Sequence, residues 1–207
     1  MIKRKCKITF IRHGSTVYTD SDILNDDINY PPLNELGRVE MERISKWVQS
    51  RGLKVDKIYS SDSCDCIKSA GILARVLKQD FEIIPNLYTR RAGKWNGLSF
   101  EQIMDKYPEE FVDYKANKAD YAPQDGESLN DLNKRVNSVI SNLIKDNLTK
   151  RLVVVTNRDV IQAAVAGALN IPPHHQTKIC VQSASATQVS YFKDFSMLMY
   201  SNYFISL

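Results

Sequence analysis

The run Leu152-Val153-Val154-Val155-Thr156 is apolar and β-branched, with no polar residue interrupting it. A strand with one wet face would alternate, so this run predicts a strand buried on both faces of a largely parallel sheet. Such a sheet needs helices on both sides, which restricts the chain to architectures alternating strand and helix.

The rest of the chain supplies that alternation. Lys7-Ile8-Thr9-Phe10-Ile11 is a second strand-like run, broken at Gly14. Pro31-Pro32 marks a loop, after which Leu36, Val39, Met41, Ile44, Trp47 and Val48 recur at helical spacing up to Gly52. Val55 to Tyr59 predicts another strand. Ser60-Ser61-Asp62 then offers N-cap residues to a helix carrying Ile67, Ala70, Ile72, Leu73, Val76 and Leu77. A short strand is predicted over Phe81 to Ile84. From about 86 to 127 the pattern loosens around Gly93, Gly97, Pro108 and Pro123, which predicts an insertion with short helices over Phe100–Lys106 and Pro108–Lys115. Helical spacing returns over Leu129–Leu143 and Val160–Leu169, and two last strands are predicted over Ala186–Tyr191 and Met197–Tyr200. The expected fold is α/β: a doubly wound, mostly parallel sheet flanked by helices, with a helical and loop insertion. At 207 residues, one domain spanning 1–207 is expected.

Composition excludes several classes. The net charge is +4, but Lys and Arg are scattered apart from Lys3-Arg4-Lys5 and Lys7, so nucleic acid is not an expected partner. No stretch approaches the roughly 20 apolar residues of a membrane span, and no charged-then-apolar leader is evident, so a cytoplasmic location is expected. Cys6, Cys64, Cys66 and Cys180 lack paired C-x-x-C spacing, and His174 and His175 read as loop residues after Pro172-Pro173, so no metal is expected.

In a sheet of this class ligands gather beyond the carboxyl ends of the strands. Three such ends stand out: Arg12-His13-Gly14, Ser60-Ser61-Asp62 and Thr156-Asn157-Arg158. An Arg beside a His can hold a phosphate while the imidazole attacks it. Alone, Arg-His-Gly is a short motif that recurs by chance.

Its surroundings are more specific. Phe10-Ile11-Arg12-His13-Gly14-Ser15-Thr16 resembles the opening of the histidine phosphatase (phosphoglycerate mutase-like) superfamily. Pro32-Leu33-Asn34-Glu35-Leu36-Gly37, Ile58-Tyr59-Ser60-Ser61-Asp62, Gly93-Lys94-Trp95-Asn96-Gly97 and Gly126-Glu127-Ser128 resemble later motifs of that family, in its order. The strand to Thr156 with Val160-Ile161 completes the likeness, which runs from about Ile8 to Leu207. The resemblance implies a phosphohistidine formed at His13, phosphate bound by Arg12 and Gly14, a second Arg, a second His and a carboxylic acid, with no cofactor.

Three of those implied positions are substituted, and neighbouring ones differ as well. The second Arg falls on Asp65, the acid on Thr89, and the second His on Asn157, followed by Arg158 and Asp159 where two Gly are usual; a frequent Asn is Thr19. Losing a general acid costs about 10²–10⁴-fold in rate, and losing a preorganised donor to the transition state about 10²–10³-fold. Asp65 also brings a negative charge where a cation is implied. The expectation is a catalytically inactive or strongly impaired family member, kept as a binding or interaction module for a small phosphorylated ligand or a protein partner, with a homodimer left open. The alternative is an active phosphomonoesterase working through His13 in a rebuilt pocket, its cations supplied by Arg158, Arg90, Arg91 or Lys94. Under the first reading Arg158 pairs with Asp65 or Asp159. Glu127 and Ser128 are expected to shape the insertion's junction, Glu127 as a relocated acid being the lesser alternative, and Trp95 to anchor packing. Arg12, His13, Asp65 and Asn157 should converge at one sheet edge, Asp65 pairing with Arg12 or Arg158.

Overall fold

In the computed structural model, residues 5–19, 21, 23–26 and 33–206 are described. The expected Pro31-Pro32 loop and the Lys3-Arg4 part of the basic run lie outside them.

The strands are β1 (Cys6–Arg12), β2 (Lys57–Ser60), β3 (Phe81–Ile83), β4 (Arg151–Thr156), β5 (Ala186–Tyr191) and β6 (Ser196–Tyr203). They form one six-stranded sheet in the order β3-β2-β4-β1-β5-β6. The first four are mutually parallel, and β5 and β6 close the other edge antiparallel. The helices are α1 (Glu35–Ser50), α2 (Cys64–Leu77), α3 (Phe100–Lys106), α4 (Pro108–Ala116), α5 (Leu129–Asp146) and α6 (Arg158–Leu169).

Strand β4 shows why its sequence lacks alternation. Successive side chains leave a strand on opposite faces. Val153 and Val155 enter a core with Met41, Ile44 and Leu73 of α1 and α2. Leu152 and Val154 enter the other core with Leu132, Val136 and Ile161 of α5 and α6. Both faces are covered, so Leu152 to Val155 are all apolar, and each buried Val or Leu contributes about 1.5–3 kcal/mol.

Helix α1 buries Gly37, Met41, Ile44 and Val48, one stripe at helical spacing, while Leu36 and Val39 face outward. Its start is fixed by Asn34, whose side chain accepts a hydrogen bond from the Gly37 amide, and by a backbone contact. A Cβ on Gly37 would lie 2.1 Å from the Ser15 carbonyl oxygen, and one on Gly14 2.3 Å from that of Gly37. Only two glycines let α1 seat this close to the segment after β1. The cap of α2 differs from expectation: it is Ser63, not one of residues 60–62, and its hydroxyl turns to Asp65 rather than to a backbone amide. That carboxylate in the first turn already satisfies Cys66 N and complements the helix's positive end.

The two short helices expected between 86 and 127 form, α4 running one residue longer, to Ala116. Ser99 and Gln102 make a reciprocal cap on α3, and Pro108 opens α4. Trp95 is fully buried there, stacked on Tyr121 at 5.2 Å and edge-on to Tyr114 at 5.5 Å. Glu127 ties the insertion to the sheet: it receives Arg135 Nε and Nη2 at 2.8 and 2.7 Å and the Arg91 amide at 3.1 Å. Arg135 also donates to the carbonyls of Asn86 and Tyr88. Among the described residues no helix is long and apolar enough to cross a membrane.

Candidate functional site

Strands β1 and β4 are parallel neighbours with Arg12 opposite Thr156. The residues that follow, His13 and Asn157, therefore emerge side by side at the carboxyl end of the sheet. Ser60 of β2 lies opposite Val155, so α2 starts beside them. A cavity of about 390 Å³ opens at this edge, and its lining includes Arg12, His13, Thr89, Asn157, Arg158 and Asp159. A larger one, about 660 Å³, shares only Arg12, Thr19, Arg158, Gln162 and Thr177 with it and does not include His13. The smaller cavity holds the candidate chemistry.

His13 is buried, and its backbone is fixed between Thr156 O and Ala184 N. Its Nδ1 lies 2.8 Å from Gly14 O, which makes Nδ1 the protonated nitrogen and leaves Nε2 with a lone pair. Burial holds the imidazole below its ordinary pKa, against the Asp65 carboxylate, which pulls it upward. Nε2 faces Asp65 Oδ2 at 3.5 Å. Asp65 is wholly buried; its Oδ1 accepts from Ser63 Oγ at 2.6 Å and from Cys66 N at 2.7 Å, while Oδ2 has no hydrogen-bond partner. The expected pairing of Asp65 with Arg12 or Arg158 is thus corrected. Its place as second residue of α2 aims the carboxylate at the imidazole, and both guanidinium groups stand further off.

Arg12 reaches the other way, donating Nη1 to Val181 O at 3.0 Å, while its Nε meets no acceptor. Burial first, and then the Arg158 charge, lowers its pKa to about 10. Gly14 donates its amide to Ser69 Oγ at 3.2 Å, away from the cavity. Asn157 caps α6 by position only; its Oδ1 accepts from Cys66 Sγ at 3.7 Å, and burial pushes that thiol's pKa well up. Arg158 forms no ion pair among the described residues, so the expected pairing with Asp65 or Asp159 is absent.

Asp159, expected only as a partner for Arg158, is engaged elsewhere. Its Oδ2 accepts from Thr89 Oγ1 at 3.0 Å and from the Arg90 amide, and its Oδ1 from Val160 N at 3.0 Å. A carboxylate therefore lies against Thr89, reaching it from α6. The two added side chains after Asn157 were the available signal.

The remaining candidates sort by contact. Thr19 lines the cavity and accepts from Thr16 N at 2.7 Å. Arg90 lines it with Nη1 unpartnered, whereas Arg91 is exposed and Lys94 is paired with Glu110. Glu127 is held by Arg135 and does not line the cavity. His174 and His175 lie in a 3-10 turn over Pro173–Lys178, outside the lining. No cluster of three metal-ligating side chains occurs among the described residues.

Known proteins resemble this chain in sequence and fold. The model of the histidine phosphatase superfamily (branch 1) matches residues 8–202. Phosphoglycerate mutase-like protein 4 of Arabidopsis thaliana is 27% identical over 159 residues, covering 76% of this chain and 68% of its own length. The 2,3-bisphosphoglycerate-dependent phosphoglycerate mutase of Bartonella henselae is 32% identical over 132 residues, covering 62% of this chain and 64% of its own. A solved structure of a mycobacterial glucosyl-3-phosphoglycerate phosphatase superposes with a TM-score of 0.80 at 23% identity, covering 95% of this chain and 98% of that one.

Proposed function

The chain belongs to the histidine phosphatase superfamily, branch 1, and from that premise we propose that it keeps the family pocket as a site for a small phosphorylated ligand while phosphoryl transfer through His13 is suppressed. The observation that carries this reading is the Asp65 carboxylate 3.5 Å from His13 Nε2. A phosphoryl group on Nε2 would bring its oxygens within contact of Oδ2. Two unit charges 4 Å apart repel by about 4 kcal/mol at an effective dielectric of 20. Arg12, directed to Val181, does not offset that charge at contact distance. The relatives' names, mutase and phosphatase, support a phosphate monoester as the ligand class.

The test is hydrolysis of p-nitrophenyl phosphate by wild type and His13→Ala. Equal, background rates are expected; turnover well above background that vanishes in His13→Ala would overturn the proposal.

A second reading, an active phosphomonoesterase with a rebuilt pocket, is favoured by one observation: the Asp159 carboxylate at Thr89. Under it Asp159 is the relocated acid, and Asp159→Asn lowers turnover by about 10²–10⁴-fold. Turnover that needs His13 but is indifferent to Asp159→Asn excludes that role.

A further inference from the structure

The rim of the pocket carries two cations that its own carboxylates leave unpaired. Arg12 and Arg158 line both the 390 Å³ and the 660 Å³ cavities, so both border each of them. Neither has a carboxylate within 4 Å among the described residues. Asp159, the acidic side chain in the smaller lining, has both oxygens engaged by Thr89, Arg90 and Val160. Glu40, the acidic one in the larger lining, accepts from Ser15 N at 2.8 Å. Neighbouring guanidinium groups repel, and a partly buried cation needs an anion or strong hydrogen bonds to offset its desolvation. The proximity of Arg158 depresses the Arg12 pKa, second only to burial. Arg158 also opens α6, whose positive end favours an anion at the same place.

Further unmet donors lie along the same wall. Gln176 is fully buried, with Oε1 held by Asn133 and Nε2 lacking any acceptor. Arg90 Nη1 is likewise unpartnered, and both residues line the smaller cavity. Beyond them Phe100 and Tyr114, stacked at 5.8 Å and 18°, give the cavity an aromatic side.

We propose that this pocket seats an anionic group, phosphate or carboxylate, between Arg12 and Arg158 and off His13, as the head of a ligand whose apolar or aromatic body lies toward Phe100 and Tyr114. The assignment rests on the reading that the pocket binds without turnover, since it takes from it that Asp65 keeps an anion away from Nε2. Arg158 then replaces, from α6, the second cation lost at residue 65. Its planar fork can grip two oxygens of either anion while Arg12 holds a third contact.

Calorimetric titration with inorganic phosphate and, separately, with succinate tests this on wild type, Arg158→Gln and His13→Ala. Arg158 is exposed, so its replacement should leave the fold intact; an unchanged melting temperature checks that. Wild type is expected to bind at least one of the two anions. Arg158→Gln should weaken that binding by at least about tenfold, the loss of one charged hydrogen-bonding partner, and His13→Ala should change it by less than about twofold. Tighter phosphate than succinate identifies a phosphoryl head, and the reverse a carboxylate; both support the clamp. Arg158→Lys, which keeps the charge without the fork, should fall between wild type and Arg158→Gln. Absence of binding by either anion, or binding lost in His13→Ala and retained in Arg158→Gln, overturns the clamp. His13-dependent hydrolysis of the aryl phosphate with Arg158-dependent phosphate binding would instead remove the suppressed-transfer reading and leave the clamp standing.

Discussion

Replacing Asp65 by Asn isolates the charge that opposes His13. The substitution keeps the local structure, because the amide oxygen can still accept from Ser63 Oγ and Cys66 N as Oδ1 does now. What changes is the second atom, which turns from an unpartnered carboxylate oxygen 3.5 Å from Nε2 into a donor. An oxyanion bound at Nε2 places its charge about 4–6 Å from that atom, where one unit pair repels by about 3–4 kcal/mol at an effective dielectric of 20. Removing it should raise affinity for orthovanadate, which takes a phosphoryl-like geometry on a histidine nitrogen, by about 10²–10³-fold. Titration calorimetry at pH 7 reads the affinity, and a melting curve checks the fold. A second readout is independent of any ligand. Asp65 raises the His13 pKa against burial, so in Asp65→Asn the imidazole should titrate at still lower pH by NMR. Vanadate affinity within about twofold of wild type, in a folded variant, would refute the charge argument.

Three further outcomes concern stability. Gly37→Ala should destabilise by about 2–3 kcal/mol in urea unfolding, although Gly→Ala inside a helix is otherwise stabilising, because the new Cβ meets the Ser15 backbone at 2.1 Å. Arg135→Ala should cost about 3–5 kcal/mol by leaving Glu127 buried without its partner, and protease cleavage in the insertion should rise with it. Below pH 6.5 wild type should lose stability that His13→Gln keeps. The folded His13 pKa lies under the ordinary 6.5, so the unfolded chain binds the extra proton; the contribution is complete above that value and declines as pH falls below it. Urea midpoints at pH 7.5 and 5.5 for both proteins decide it, and equal slopes would contradict the buried, neutral imidazole.

Much of the fold was legible because burial writes itself into patterning. The unbroken apolar β4 and the α1 stripe follow from faces that are wholly or half covered, while α4 was legible from the proline that opens it. The misreadings come from side chains with two uses. Leu36 and Val39 fit the helical period yet face outward, since period alone does not say how wide the buried stripe is. At the site, parallel pairing placed His13 beside Asn157 from topology alone. The direction of Asp65 was not legible: its partner depends on the first turn of α2, whose cap moved to Ser63, and a charge count along the chain carries no such angle. The true partner of Asp159 was not legible for a related reason. Its contact with Thr89 spans 70 residues and exists only once α6 is packed.

That contact also constrains the order in which this pocket can change. A glutamate placed at residue 89 would arrive beside the Asp159 carboxylate, so Thr89→Glu alone should be the least stable of the four combinations at residues 89 and 159. Asp159→Gly first, then Thr89→Glu, avoids the collision but releases the Arg90 amide and the Thr89 hydroxyl in the interval. Residues 89 and 159 are in contact, so their substitutions should not add: a double-mutant cycle on stability should return a coupling above about 0.5 kcal/mol.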